Sequence, residues 1–383
     1  MKAKNFFRKA WKITGIVVAA ILLLAMLLGF IGLFGAMINN KRASEVEFVG
    51  SRLTPELDPE TGYWTFTTDD DFRILHLTDI HIGAGFLSIG KDKMAIEAVS
   101  ELVQRVEPEL VIITGDISYP IPFQAGTFDN LREAKMFATM MESLGVYWTV
   151  TFGNHDSEIY SMFRLDRIAE FYASEDLKYC LFQRGPANID GEGNSIINIK
   201  NTAGEITQSL VFIDSHSYID GSLTNEYDNI HENQIEWYRQ EITNLSAMNG
   251  KTVKSLAFFH IPLNEYADAW EEYINNGEQD TENVKYFYGI ADEPGDKKIW
   301  PGKYGCDTFE TMLELGSTQG IFCGHDHLNN FSVEYKGIRL TYGLSIDHLA
   351  YWGIHKKTEQ RGGTIITVSP DGSFDCAQER LVK

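Results

Sequence analysis

From residue 13 to residue 38 the chain runs 26 residues without a charge, almost all of them apolar. As a helix this run spans roughly 39 Å at about 1.5 Å per residue, enough to cross a bilayer with some tilt. Beyond residue 72 the apolar residues come in short runs separated by polar turns. Arg73-Ile-Leu-His-Leu-Thr78, Leu110-Val-Ile-Ile-Thr114, Tyr147-Trp-Thr-Val-Thr-Phe152, Ser255-Leu-Ala-Phe-Phe259 and Gly320-Ile-Phe322 read as buried strands. Between the first three, residues 91–106 place Ile96, Val99, Leu102, Val103 and Val106 on one helical face, and Pro108 stops them. Residues 131–144 predict a second helix, ended by Gly145. This βαβαβ start implies parallel strands with right-handed crossovers. Later, residues 195–200 and 209–214 flank a polar Asn-Thr-Ala-Gly turn and read as a hairpin, and residues 231–248 as a helix. The tail is strand-rich. The whole is an α/β pattern that fits two packed mixed sheets flanked by helices, in one large domain over residues 72–383. Residues 264–305 are acidic and aromatic, and read as a lid or an insertion with short helices.

Charge changes the picture at the N-terminus. Lys2, Lys4, Arg8, Lys9 and Lys12 precede the long apolar run, and only Lys41 and Arg42 follow closely. The run is longer than the roughly 7–15 apolar residues of a cleaved secretory signal, and no clear small-x-small site closes it. The expectation is therefore one transmembrane helix over residues 13–38, with a cytoplasmic basic tail at 1–12. A stem at 39–71 would lead to a domain outside the cytoplasm, on a cell membrane. Seven of the 33 basic residues and none of the 54 acids lie before Ala43, which leaves 26 against 54, a net of −28. Such an acidic chain is not expected to bind nucleic acid, which needs clustered Lys and Arg. Small phosphate substrates stay possible, because a metal centre brings its own positive charge. The four cysteines contain no CxxC pair, so a structural zinc site is not expected; Cys323 reads as a buried free thiol.

The chemistry sits directly after the strands. Asp79-Ile-His81 follows the first, Gly115-Asp116 the second, Gly153-Asn154-His155-Asp156 the third, His260 the fourth and Gly324-His325-Asp326-His327 the fifth. Strand ends put side chains at the carboxyl edge of a sheet, where open α/β proteins place their sites. The pooled donors suffice for two metal ions. Each block alone has an ordinary reading as solvated turn residues; their joint order is what carries the signal.

In order and chemistry these blocks resemble the calcineurin-like metallophosphoesterase superfamily, and Asp214-Ser-His216-Ser-Tyr218, Gln234-Ile-Glu-Trp237-Tyr238 and Phe259-His260-Ile-Pro262-Leu-Asn-Glu265-Tyr266 resemble its branch related to purple acid phosphatases. The likeness runs from about Phe72 to Arg361. The resemblance implies an αββα sandwich, two metal ions (Fe, Mn or Zn) and hydrolysis of a phosphate ester by a metal-bound hydroxide. It implies Asp79, His81 and His327 at the first ion, Asp116 as the bridge, and Asn154, His260 and His325 at the second. It gives His155 either the protonation of the leaving oxygen or the stabilisation of the transition state, with Asp156 either orienting it or capping the following helix. Gly115-Asp-Ile-Ser-Tyr119 matches a GDxxY pattern in which the tyrosine binds iron, but His81 would compete with Tyr119 for that position. His216 and Tyr218 either contact substrate or pack under the sheet edge.

The function expected is a membrane-anchored dinuclear phosphatase acting on phosphomonoesters. The alternatives are a phosphodiesterase or nucleotide pyrophosphatase with the same centre, and a non-catalytic surface binding protein. Oligomeric state is not legible.

Overall fold

Residues 110–114 are all buried, and their side chains alternate between two hydrophobic clusters: Leu110 and Ile112 join one, Val111 and Ile113 the other. A strand buried on both faces must lie between two layers, and that requirement organises the molecule. The computed structural model describes residues 2–219, 226–356 and 360–381. The chain opens with helix α1 (Lys2–Ser44) and two short strands, β1 (Glu56–Leu57) and β2 (Trp64–Thr67). An alternating run follows: β3 (Phe72–Leu77), α2 (Ile89–Val106), β4 (Leu110–Thr114), α3 (Asn130–Leu144), β5 (Tyr147–Thr151) and α4 (Leu165–Tyr172). Strands β6 (Ser195–Lys200) and β7 (Ile206–Phe212) lead through α5 (Glu232–Asn249) to β8 (Ser255–Phe258), α6 (Asn264–Asn275) and β9 (Val284–Tyr288). Then come α7 (Thr308–Leu315), β10 (Thr318–Cys323), β11 (Ser332–Tyr335), β12 (Ile338–Tyr342), β13 (Gly362–Val368) and β14 (Phe374–Arg380).

Five strands form one sheet in the order β14-β13-β3-β4-β5, and nine form the other, β1-β2-β6-β7-β8-β10-β12-β11-β9. Strands β3, β4 and β5 run parallel, as do β7, β8, β10 and β12. Phe72, Ile74, Leu110 and Ile112 meet Leu210, Phe212, Phe258 and Phe322 between the sheets. The opposite faces carry the helices: Leu75, Val111 and Trp148 pack with residues of α2, α3 and α4, and Val211, Ala257 and Ile321 with residues of α5, α6 and α7. The fold is therefore the expected α/β sandwich of two mixed sheets between helical layers. Helix α2 stops at Glu107, which turns left-handed at φ 45° ahead of Pro108. Helix α3 starts where Asp129 accepts the Arg132 N–H at 3.1 Å and ends at Gly145, φ 71°. All four cysteines are free thiols.

Two boundaries differ from the expectation. The stretch 39–71 is not a spacer. Helix α1 runs on to Ser44, and β2 pairs in parallel with β6 at the edge of the large sheet. Buried Phe66 makes that strand part of the core. The second difference lies inside the apolar run. Gly32, Gly35, Ala36, Asn39 and Ala43 are buried, at helical spacing, where α1 packs on α2 and α3. The Asn39 side-chain amide donates to the Ile89 carbonyl at 2.8 Å. Residues 9–31 are exposed apart from half-buried Leu28. Within 264–305, α6 covers the large sheet, and β9 extends its edge by pairing with β11.

Candidate metal centre

The turns after β3, β4, β5, β8 and β10 converge between the two sheets. They are tight. Asp79, His81, Asp116 and His325 all have positive φ, at 51°, 53°, 52° and 76°. A non-glycine residue held there costs on the order of 1 kcal/mol or more, and such strain gathers at functional sites. Asp79 and His81 therefore lie on a left-handed bend. The glycines let the turns approach each other. A Cβ on Gly153 would lie 2.2 Å from Asp116 Oδ1, and one on Gly324 would lie 1.8 Å from Thr78 Oγ1.

The seven side chains singled out as donors come together here, and all are buried. Asp79, His81, Asp116 and His327 each offer a donor atom, all within 4.8 Å of one another. Asp116 Oδ2 is 3.4 Å from His81 Nε2 and 3.2 Å from His260 Nε2. Asp79 Oδ1 is 3.4 Å from His327 Nε2 and has no hydrogen-bond donor of its own. Asn154 Oδ1 lies 3.2 Å from His260 Nε2 and 2.9 Å from His325 Nδ1. Asp116 thus belongs to two groups of donors at once. Buried donor atoms converging in this way, one of them the unpaired Asp79 Oδ1, can hold a cation.

The electrostatics point the same way. Burial alone favours a neutral ring at His81, but the carboxylates of Asp347 and Asp116 outweigh it and hold the ring up to about 10. Burial is likewise overcome at His260, where Asp116 and Asp79 hold the ring up to about 9. Desolvation also opposes the charge on Asp116, yet the His260 and His155 rings keep its carboxyl well below the usual range. A cation entering here takes the place of protons.

Three of the other candidate residues make contacts outside the donor cluster. Asp156 does not touch the His155 ring. Its carboxylate accepts backbone N–H bonds from Gly153, Asp116 and Ser118 at 2.9, 3.0 and 2.9 Å, so it ties the second and third turns together. The group on His155 is Glu158, whose Oε1 accepts from Nδ1 at 2.6 Å. Residues 155 and 158 share one side of a turn, whereas adjacent Asp156 points into the protein. Tyr119 packs beside His81, tilted, and edge-on to His155, and its hydroxyl donates to Gln124 at 3.1 Å. His216 bonds Gln234 through Nε2 at 2.8 Å and stacks on His231, outside the cluster. Tyr218 does reach it: its hydroxyl accepts from Asn154 Nδ2 at 3.1 Å, which turns the amide oxygen toward His260 and His325.

One residue that completes the arrangement has no block of its own in the sequence reading. Asp347, fully buried, lies 3.1 Å from both His81 Nδ1 and His327 Nδ1, one oxygen to each. It aims both Nε2 atoms at the cluster, as the Thr114 carbonyl does for His260 through Nδ1 at 2.7 Å. Buried Arg361 fixes this loop, donating to the Asp347 and His327 carbonyls. The available signal was positional: Leu-Ser-Ile-Asp347 follows the Ile338–Tyr342 strand as the other blocks follow theirs.

A two-sheet sandwich with Asp, His and Asn at the strand ends defines a metallophosphoesterase. Residues 72–329 match the model of the calcineurin-like phosphoesterase family, and the chain belongs to that family. It is 27% identical over 317 residues to a protein of Arabidopsis thaliana named probable inactive purple acid phosphatase 14, covering 75% of this chain and 73% of that one. It is 29% identical over 303 residues to phosphatase DCR2 of Saccharomyces cerevisiae, covering 74% of this chain but 48% of the yeast protein. A solved dimetal phosphatase from Danio rerio superposes with a TM-score of 0.48 at 11% identity, over 82% of this chain and 98% of that one.

Two outcomes follow from the geometry. Asp156→Ala leaves three buried N–H groups without an acceptor, each worth about 1–3 kcal/mol. The urea midpoint should fall strongly, whereas a residue acting only on His155 would leave it unchanged. The second outcome concerns pH. The His81 and His260 rings, held at about 10 and about 9, are protonated near neutrality and must lose those protons to a metal. Binding of Zn(II) or Mn(II) to stripped protein should therefore tighten as pH rises from about 6 to 9 and release roughly two protons near pH 7. Calorimetry in buffers of different ionisation enthalpy reads that release directly.

Proposed function

We propose that this chain is a membrane-anchored phosphatase that uses two metal ions to hydrolyse phosphomonoesters. The observation that carries the reading is the position of Asp116 Oδ2 between the Nε2 atoms of His81 and His260. On this reading Asp79, His81, Asp116 and His327 hold one ion, and Asp116, Asn154, His260 and His325 hold the other. The donors fit: carboxylate, imidazole and amide atoms suit Fe, Mn or Zn. Two such ions, when bound, would supply a nucleophile at neutral pH and neutralise the phosphoryl oxygens.

The remaining work belongs to side chains already described. Asp347 and the Thr114 carbonyl fix the tautomers of three histidines, and Tyr218 fixes the Asn154 amide. His155 lies beside His81, with ring centroids 5.6 Å apart. Glu158 binds its Nδ1, so Nε2 is the nitrogen from which a proton reaches the leaving oxygen. Helix α1 is long and apolar enough to span a membrane. The basic bias before it supports a cytoplasmic N-terminus and an extracytoplasmic domain. The word inactive in the plant relative's name raises the non-catalytic reading; the complete set of donors in this chain supports catalysis.

The decisive experiment measures metal content and phosphate release together on the purified full chain. Two metals per chain and faster turnover of p-nitrophenyl phosphate than of its bis ester are expected; the reverse preference would make it a diesterase. Asp116→Asn and Asn154→Ala should each lose metal and most activity, and unchanged values in both would sink the assignment. His155→Ala should keep both metals and lose about 10²–10⁴-fold on alkyl phosphates. The loss should be smaller on p-nitrophenyl phosphate, whose leaving group hardly needs a proton. Equal losses on the two would assign His155 to charge stabilisation instead.

A further inference from the structure

The direction of α1 relative to the metal centre carries an inference about the substrate. Gly32 sits against Gly85 and Phe86, in the loop just beyond His81; a Cβ there would be 3.1 Å from Phe86 N. One turn on, Gly35 and Asn39 meet Ile89, the first residue of α2. Past the end of α1, the Val49 and Gly50 N–H groups donate to the Leu144 carbonyl, at the far end of α3, at 2.9 and 3.0 Å. Helices α2 and α3 both begin at the edge where the donor-bearing turns lie, and both run away from it. Helix α1 therefore enters the domain at the metal-centre edge and leaves at the opposite one. The exposed residues before Gly32 project beyond the metal-centre edge, not away from it. Residues 13–31 make about 28 Å of helix at about 1.5 Å per residue, close to the roughly 30 Å of a hydrocarbon core. The headgroup layer then falls at the level of the Phe86 loop.

The rim at that level is dressed for such a neighbour. Leu87, Phe123, Phe128, Ile159, Met162 and Trp352 are exposed, Phe123 at 91% and Trp352 completely. They come from the loops that follow β3, β4, β5 and β12, and those loops are joined. Leu87 N–H donates to the Ala125 carbonyl at 3.1 Å, Met162 N–H to Phe128 at 2.8 Å, and the Gln124 amide to Ala350. Exposed aromatic rings of this kind favour the membrane interface. Beside them, Lys91 lies in the first turn of α2, four residues after Leu87, and His355 and Lys356 lie three and four residues after Trp352. In a domain so acidic overall, a basic group next to the donor cluster suits an anionic headgroup.

We propose that the metal centre opens onto the bilayer that holds α1, and that its substrate is a phosphomonoester borne on a lipid of that membrane. The inference rests on the phosphatase and membrane-span readings above. The reaction balances simply: water adds its oxygen to phosphorus, the P–O bond to the lipid breaks, and the lipid alkoxide takes a proton. The products are a lipid alcohol and inorganic phosphate.

The test uses the full chain reconstituted in phosphatidylcholine vesicles containing dioleoyl phosphatidic acid. Phosphate release should follow the mole fraction of phosphatidic acid in the surface, not its bulk concentration. Glycerol 3-phosphate, the same ester without a bilayer, should be a much poorer substrate. Seven helix-forming residues inserted between Ile31 and Gly32 would lift the domain by about 10 Å while keeping the face of α1. That variant should lose about tenfold or more on phosphatidic acid, yet keep p-nitrophenyl phosphate turnover within about twofold. Phe123→Ser with Trp352→Ser should behave likewise. Turnover of p-nitrophenyl phosphate without phosphatidic acid, equal turnover of glycerol 3-phosphate, or indifference to the spacer overturns the inference and leaves the phosphatase standing. Turnover of none of the substrates overturns both.

Discussion

Asp116 can remain ionised inside the protein only because both of its oxygens are met. Oδ2 faces two imidazole nitrogens and Oδ1 accepts the His155 N–H at 2.8 Å. A buried carboxylate without such company would be far too costly to keep charged. Meeting it demands that turns from both sheets arrive within about 3 Å of one point, a hydrogen-bond distance. The left-handed residues in those turns, and the glycines where a Cβ has no room, follow from that demand. Asp156 supports this arrangement: by accepting N–H groups of Gly153, Asp116 and Ser118, its carboxylate ties two of the turns together.

The parts of this arrangement that were legible in the sequence are those written at regular intervals. A strand buried on both faces shows as an unbroken apolar run, and a polar block after it marks the carboxyl edge. That placed β3, β4, β5, β8 and β10 and the polar blocks after them; the choice of seven donors within those blocks came from the family resemblance. What could not be read has local physical reasons. Asp347 follows its strand by five residues and carries no paired histidine two positions away, so nothing periodic announces it. Glu158 displaced Asp156 as the partner of His155 because a turn brings i and i+3 together, and sequence adjacency does not show that. Strands β1 and β2 are too short, at two and four residues, to stand out from a stem. The docked face of α1 was present as Gly32, Gly35, Ala36, Asn39 and Ala43 at helical spacing. The apolar run around it hid the pattern, because small apolar residues look the same facing lipid or protein.

The segment between β12 and β13 holds several layers of the molecule together. Asp347 orients two histidines through their Nδ1 atoms, Arg361 binds the carbonyls of His327 and Asp347, and Tyr351 stacks on the His327 ring. Trp352 stands exposed a single residue further on. The rim and the carboxylate beside His81 and His327 therefore lie on one short segment.

On the proposed orientation, the charge balance becomes a constraint on the helix. A domain carrying a net −28 is repelled by an anionic membrane surface. A flexible stem would let that repulsion hold the metal centre away from lipid. Helix α1 instead continues unbroken to Ser44, with its last turns buried against α2 and α3. The distance between bilayer and domain is then set by helix length and packing, and not by surface charge. A rigid connection of this kind is of use only where a fixed height above the membrane matters, and the exposed apolar rim at that height gives the reason.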